Sequence, residues 1–222
     1  MKIETTSNAS VLVKSGTNIT INENDINSRD DTVTIAGGMG NKAYGGGGTN
    51  VLTISGGSNN YIKAGVEKDY KSEYEGFDTV NITGGNNNTA EKGFGNVNFY
   101  LENGKNNKVL GDTRYYYLEQ NIRVNGGVGH SITGGNSIDK LTIYKDSKAN
   151  SEPARILANL GDSSDVVTIK AGESNIVDGG DGSDIINISN GNKNIAYGGN
   201  DGDILTITGG KQNTMLSCNP RI

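Results

Sequence analysis

The chain has 222 residues, of which 34 are Gly and 31 are Asn, and this length suits one large domain or one repeat array. Its formal net charge of −5 and its isoelectric point of about 5.0 argue against broad nucleic-acid binding, because a polyanion requires a basic surface. No stretch approaches the roughly 18 apolar residues of a membrane-spanning helix, so we predict no membrane span. The hydrophobic fraction of 32% is too low for a conventional two-layer core, yet short β-branched runs between Gly-rich turns favour an ordered all-β fold.

Residues 1–29 are predicted to form an N-terminal cap, because their two apolar runs do not follow the period found further along the chain. These runs are Val11-Leu-Val13 and Ile19-Thr-Ile21. The N-terminus lacks the apolar segment of a secretory signal peptide, and Met1 suggests a native start. The lack of such a peptide leaves cytoplasmic residence and export without processing both open.

Residues 30–213 repeat with a unit of 19 residues, which is the dominant feature of the sequence. Asp31-Thr-Val-Thr-Ile35 and Asn50-Val-Leu-Thr-Ile54 begin the first two units. The later units begin at Asp78, Val97, Gln120, Asp139, Asp165, Asp184 and Asp203. Six residues after the last apolar residue of these runs stands an Asn in most units, at Asn41, Asn60, Asn88, Asn107, Asn175, Asn194 and Asn213. His130 takes this place in one unit, so we predict that it is a turn residue and not a general base.

Each unit is predicted to contain two short strands and two tight turns. A Gly-Gly-x-x-x-Asp turn leads into one strand with alternating apolar residues such as Ile186 and Ile188, and a Gly-x-x-Asn turn leads into another with Ile195 and Tyr197. Gly supplies the positive φ angles of such turns, and Asn can stack in side-chain ladders. We therefore predict a right-handed parallel β-roll, or β-solenoid, of about nine coils in which the Asn residues form one row. At about 4.8 Å per coil the rod would be roughly 45 Å long.

Three segments interrupt the period and are predicted to be insertions on the side of the rod. They are residues 66–76, 113–119 and 145–160, and residues 214–222 form a predicted tail. Such insertions are either solvated loops or the segments that carry binding. Because no linker divides the chain, we predict a single β-solenoid domain over residues 1–222.

The C-terminal turns carry the motif that links the chain to a known family. Gly179–Asn187 matches the nonapeptide Gly-Gly-x-Gly-x-Asp-x-apolar-x at every position, and Gly198–Thr206 departs from it once, with Asp201 in place of Gly. On these residues the chain resembles the RTX repeat proteins, and its 19-residue unit is similar to the repeat arrays of multifunctional autoprocessing RTX toxins. The resemblance implies a parallel β-roll that binds Ca²⁺ in its turns, on an extracellular or cell-surface protein without an ordinary signal peptide.

Aspartates of the C-terminal turns are the candidate metal ligands. They are Asp162, Asp165, Asp181, Asp184, Asp201 and Asp203. Turns one coil apart could surround Ca²⁺ with carboxylate and carbonyl oxygens, and the cation would relieve the repulsion between stacked carboxylates. One Cys (Cys218, a predicted reduced thiol) and one His leave only a hard cation on oxygen ligands. The alternative is that these aspartates only cap turns, as Asn50 does in the same register; the N-terminal turns are predicted to hold no metal.

Three classes of function follow from these observations. The first is a non-catalytic, calcium-stabilised repeat rod that acts as a surface, adhesive or toxin-array segment, with a cell-surface or carbohydrate ligand. The second is a module that binds carbohydrate or ice, although exposed strand positions such as Thr34, Asn98 and Lys140 are less regular than an ice-binding Thr face. The third is a polysaccharide lyase or epimerase with Arg123, His130 and Asp139 converging across neighbouring coils. We predict the first, which is not an enzyme.

Overall fold

The structure is a computed structural model that describes residues 1–4, 8–21, 30–65, 77–114, 118–144 and 155–218. These residues form 21 β-strands, and no helix occurs among them. In chain order the strands are β1 (Lys2–Ile3), β2 (Ser10–Val13), β3 (Thr20–Ile21), β4 (Thr32–Ile35), β5 (Lys42–Tyr44), β6 (Val51–Ile54), β7 (Tyr61–Ala64), β8 (Phe77–Ile82), β9 (Thr89–Lys92), β10 (Asn96–Glu102), β11 (Lys108–Leu110), β12 (Glu119–Asn125), β13 (His130–Gly135), β14 (Ile138–Tyr144), β15 (Ile156–Asp162), β16 (Val166–Ile169), β17 (Ile176–Asp181), β18 (Ile185–Ile188), β19 (Ile195–Asn200), β20 (Ile204–Ile207) and β21 (Thr214–Leu216). In the part of the chain described, no helix is long and apolar enough to cross a membrane.

The strands form two parallel sheets that the chain visits alternately. The odd-numbered strands make an 11-stranded sheet and the even-numbered strands a 10-stranded sheet, each in chain order. Every strand pairs with its equivalent in the next coil, so Val167 lies beside Ile186 and Ile186 beside Leu205. This confirms the predicted parallel β-solenoid of about nine coils, about 19 residues apart.

The core is the thin space between the two sheets. The even-numbered strands from β4 to β18 each direct two or three buried apolar side chains inward, such as Ile186 and Ile188 in β18. In the odd-numbered strands the buried residues are smaller on average, and in β19 Ala196 is buried while Ile195 and Tyr197 are half-exposed. Ile195 and Tyr197, the apolar residues that mark this strand in the sequence, therefore lie on its outer face. Asn194 points into the coil immediately before this strand, so the two-residue alternation places Ala196 inside.

Two predicted segment boundaries also need correction. The insertion predicted over 145–160 ends earlier, because Ile156 begins β15 and pairs with His130, and Ala158 and Leu160 are buried. The insertion predicted over 113–119 likewise ends before Glu119, the first residue of β12. Residues 66–76, 115–117 and 145–154 lie outside the described residues.

Both ends of the chain take part in the sheets. Within the predicted cap, Ser10 of β2 pairs with Thr32, so the first strands continue the ladders of the repeat. Within the predicted tail, Thr214 of β21 pairs with Ile195 and closes the larger sheet. The predicted boundaries at residues 29 and 213 therefore do not coincide with the ends of the solenoid.

Candidate functional site

One interior corner of the coil is lined by a row of mostly amide side chains, interrupted only at His130 and Ile156 and here called the Asn row. Its members in coil order are Asn41, Asn60, Asn88, Asn107, His130, Ile156, Asn175, Asn194 and Asn213. The backbone N–H of Asn41 donates to Oδ1 of Asn60 at 2.9 Å, and the backbone N–H of Asn175 donates to Oδ1 of Asn194 at 3.0 Å. The predicted stacking of these residues is confirmed. Each amide satisfies a buried backbone donor of the preceding coil.

His130 replaces Asn in this row and imitates it. Its Nδ1 accepts the backbone N–H of Asn107 at 3.2 Å, and the imidazole is 1% exposed. Desolvation lowers the pKa of His130, although the carbonyls of Asn103 and Gly126 partly oppose this effect. The buried imidazole with Nδ1 occupied confirms that His130 takes the Asn position of the repeat, although it is the first residue of β13 and not part of the turn before it.

The catalytic arrangement considered for Arg123, His130 and Asp139 is not formed. Arg123 is on the exposed face of β12, whereas Asp139 is buried on the inner face of the neighbouring strand β14. The two side chains therefore lie on opposite faces of one sheet. His130 belongs to the other sheet and to the Asn row.

A second interior corner carries the aspartates of the repeat, here called the Asp row. Its members are Asp31, Asn50, Asp78, Val97, Gln120, Asp139, Asp165, Asp184 and Asp203. The backbone N–H of Asp165 donates to Oδ1 of Asp184 at 2.8 Å, and that of Asp184 donates to Oδ1 of Asp203 at 3.0 Å. Asn50 takes part in the same way, because its Oδ1 accepts the N–H of Asp31 at 2.9 Å. One carboxylate oxygen of each aspartate thus holds two coils together.

The other oxygen of these aspartates is buried without a hydrogen-bond partner. This holds for Oδ2 of Asp139, Asp165, Asp184 and Asp203. Desolvation raises the pKa of Asp139 to about 8, of Asp165 to about 9 and of Asp184 to about 6. The carboxylate of Asp139 adds to the shift at Asp165, and that of Asp203 adds to the shift at Asp184. The stacked carboxylates therefore favour a bound proton or a bound cation.

The two glycines of the Gly-Gly-x-x-x-Asp turn have separate structural roles. A Cβ at Gly179 would overlap Oδ2 of Asp184 and the carbonyl oxygen of Gly198. The second glycine, Gly180, has φ of +109°, and a Cβ there would overlap the carbonyl of Gly161 in the preceding coil. The fold therefore requires both glycines whether or not a metal is bound.

The six predicted metal ligands fall into two separate groups. Asp165, Asp184 and Asp203 belong to the Asp row and face inward. The other three lie on the outer surface of the turns: Asp162 pairs in register with Asp181, which accepts a hydrogen bond from Asn200 Nδ2. Asp201 is exposed with φ of +74°. Among the residues that the structure describes, no group of three or more His, Cys, Asp or Glu side chains is arranged to hold a metal.

A buried polar cluster around Lys92 was not anticipated from the sequence. Lys92 is 1% exposed, and its Nζ donates to Ser137 Oγ at 2.6 Å. Gln120 Nε2 donates to Oδ1 of Asp139 at 2.9 Å in the same interior. Desolvation lowers the pKa of Lys92 to about 8, while Asp139 and Asp112 act in the opposite direction. The detectable signal was the alternation in β9, where Lys92 follows the inward-facing Ala90 by two residues.

No protein-family model, curated protein or solved structure matches the chain.

Proposed function

We propose that this chain is a non-catalytic repeat rod whose C-terminal coils bind Ca²⁺, and that it serves as a surface, adhesive or toxin-array segment outside the cell. The observation that carries the proposal is the run of buried, unpartnered Oδ2 atoms on Asp165, Asp184 and Asp203 in three consecutive coils. The RTX-like sequence of the turns between residues 179 and 206 supports the same conclusion.

The donor chemistry of the Asp row fits a hard cation. Oδ2 of Asp184 and the carbonyl oxygen of Gly198 both lie against the Cα of Gly179, where a Cβ would overlap them, so the two oxygens are close neighbours. Ca²⁺ takes six to eight oxygen ligands from carboxylates, main-chain carbonyls and water. Since three carboxylates do not converge among the described residues, each ion would combine one or two carboxylates with carbonyls from neighbouring coils.

The N-terminal coils lack this arrangement. Asn50 interrupts the acidic row there, and its Nδ2 donates to the carbonyl of Gly47 at 3.4 Å. Asp78 is buried in the same register, but its neighbours in the row are Asn50 and Val97. A single carboxylate between neutral side chains has less need of a counter-ion than three consecutive ones.

The interior ionisable groups support a structural role over a catalytic one. His130, Asp139 and Lys92 are each 1% exposed or less. Each also makes a hydrogen bond that joins different coils. A substrate cannot reach these groups while the coils remain stacked, so their chemistry serves the packing of the rod.

The test is the melting temperature of the chain at pH 8 in excess calcium and in chelator. Because Ca²⁺ binds only the folded coils, we expect a rise on the order of 5–10 °C at about 100 times the dissociation constant. Asp184→Asn should remove most of this rise, since an amide keeps the Oδ1 acceptor but removes the charge, as Asn50 shows.

Asp78→Asn is the matched control, because Asp78 shares the register and burial of Asp184 and a pKa raised to about 6. Its calcium-dependent rise should equal that of the unmodified chain. A melting temperature unaffected by calcium, or an equal loss in both variants, would contradict calcium binding in the C-terminal coils.

A further inference from the structure

The outer surface of the smaller sheet carries aromatic, amide and basic side chains at its centre. One registered row runs along this surface: Leu12, Thr34, Thr53, Asn81, Tyr100, Arg123, Thr142, Thr168, Asn187 and Thr206. A second row beside it includes Asn98, Asn121 and Lys140. The ends of the first row are mostly small and polar, whereas Tyr100 and Arg123 lie at its middle.

Two adjoining depressions occupy this central region. The larger, of about 500 Å³, is lined by Asn98, Tyr100, Asn121, Arg123, Lys140, Leu141, Thr142, Val166 and Thr168. The smaller, of about 370 Å³, is lined by Tyr100, Leu101, Glu102, Arg123, Asn125 and Tyr144. Because Tyr100 and Arg123 line both, the two depressions adjoin at these residues and are together called the Tyr100–Arg123 groove.

Arg123 provides an available positive charge in the groove. Its guanidinium carbon lies 5.7 Å from the ring centroid of Tyr100. In the described part of the chain it makes no ion pair, whereas the nearby Lys140 pairs with Glu119 at 3.0 Å. A guanidinium held against a ring keeps its N–H donors in a planar fork that matches a carboxylate.

A second cation lies on an aromatic ring at the border of the groove, because Tyr144 lines the smaller depression. Lys170 Nζ lies 4.6 Å from the ring centroid of Tyr144 and 3.3 Å from its hydroxyl oxygen. Glu102 is the opposing charge in the smaller depression. On a chain with a net charge of −5, the groove is thus a local region where cations and aromatic rings alternate with amides.

We propose that the Tyr100–Arg123 groove binds an acidic polysaccharide that carries carboxylate groups. The Arg123 fork would hold a sugar carboxylate, the Tyr100 ring would pack on the apolar face of a pyranose, and Asn98 and Asn121 would bond hydroxyls as both donor and acceptor. Strands about 4.8 Å apart present these groups as a linear series, which suits an extended polymer. This inference is independent of calcium in the Asp row.

Other ligands fit the groove less well. Ice recognition requires a flat and regular row, but Tyr100 and Arg123 interrupt the small polar side chains of this surface. Nucleic acid requires several unpaired cations, whereas Lys140 is neutralised by Glu119 and the chain is acidic overall. Among the described residues of the groove, the unpaired guanidinium of Arg123 lies among amides and aromatic rings, which matches a sparsely charged sugar polymer better.

The test is calorimetric titration of the full chain with oligogalacturonate, with neutral dextran oligomers of similar length and with a DNA duplex. We expect binding of oligogalacturonate that weakens with salt, and little binding of the other two. Arg123→Gln should reduce the affinity by about 10-fold or more, because it removes charge-assisted hydrogen bonds. Tyr100→Ala should also reduce the affinity for oligogalacturonate, because it removes the ring on which the sugar would pack.

Lys193→Gln is the control, since it removes an exposed charge that pairs with Glu173 outside the groove. It should change the affinity less than twofold, and unchanged melting temperatures would show that all variants are folded. Equal affinity for dextran, tighter binding of DNA, no binding of oligogalacturonate, or an effect of Lys193→Gln equal to that of Arg123→Gln would each overturn the proposal.

Discussion

At the scale of single residues, the spacing of the Gly-Gly-x-x-x-Asp turn is explained by contacts between side chain and backbone. The aspartate folds back over the first glycine, and the second glycine lies against the backbone of the preceding coil with positive φ. Gly134 and Asp139 repeat the relation of Gly179 and Asp184. The Gly-Gly-x-x-x-Asp motif, which resembles a calcium-binding turn, is therefore also required for packing. Substitution of its glycines would not reveal whether calcium binds, and only substitution of the aspartate can.

This packing predicts different outcomes for two glycines of the C-terminal turns. Gly179→Ala should lower the free energy of unfolding by about 1–3 kcal/mol or more, because the new methyl group overlaps two oxygens in a filled interior. Gly202→Ala should change it by less than about 0.5 kcal/mol, since the nearest atom to its Cβ, Ser183 Oγ, is 3.9 Å away. Urea unfolding measures both. Equal midpoints would show that the interior beside Asp184 is not filled.

At the scale of structural elements, the 19-residue period predicts the order and pairing of the strands. It is less informative about which face of each strand points into the core. The constant offset of the Asn residues located the Asn row, because a repeated spacing fixes register without knowledge of side-chain direction. The apolar pattern does not show which residues of β19 face inward, since Ile195, Ala196 and Tyr197 are all compatible with an interior position by composition. The cluster around Lys92 was missed because its partner Ser137 lies 45 positions away, on another coil.

The Asp row predicts a specific dependence of stability on pH. The pKa of Asp165 is raised to about 9 in the folded chain, whereas an Asp side chain in the unfolded chain has a pKa of about 3.9. Between these two pH values the folded chain keeps a proton on Asp165 that the unfolded chain has released. The stability contributed by this proton is complete below a pH of about 3.9 and is lost as the pH rises toward 9. In chelator, Asp165→Asn should therefore gain stability relative to the unmodified chain as the pH rises from about 5 to 9.

Comparison of the two proteins by chemical denaturation at each pH separates Asp165 and the carboxylates coupled to it from groups elsewhere that act in the opposite direction. His130 is one such group, because its lowered pKa adds stability with rising pH in the acidic range. A constant difference between the two proteins across this range would mean that Asp165 titrates alike in the folded and unfolded chain. Excess calcium should reduce this difference in stability, since Ca²⁺ would bind the ionised carboxylate in place of the proton.

At the scale of the whole molecule, the protein is close to a one-dimensional stack. Each coil contacts the coils before and after it, so stability is a sum of terms within coils and between neighbours. The ladders continue in register on both sides of residues 66–76, where Leu52 pairs with Val80 although 28 positions separate them. Sequence could predict this architecture because the repeat recurs, whereas the chemistry of the outer surface varies from coil to coil.

The stack predicts that a whole coil can be removed but half a coil cannot. Deletion of residues 166–184 joins Asp165 to Ile185, which takes the place of its register partner Val166, so both sheets lose one strand and keep their pairing. This variant should stay folded and unfold cooperatively, with a urea m-value lowered in proportion to the buried surface lost. Deletion of residues 166–174 instead removes β16 alone and leaves the two sheets with incompatible registers after residue 165, so it should lower the β-sheet circular dichroism signal and the urea midpoint well below those of the 19-residue deletion. Similar stability of the two variants would contradict a continuous solenoid, because only the 19-residue deletion preserves the repeat.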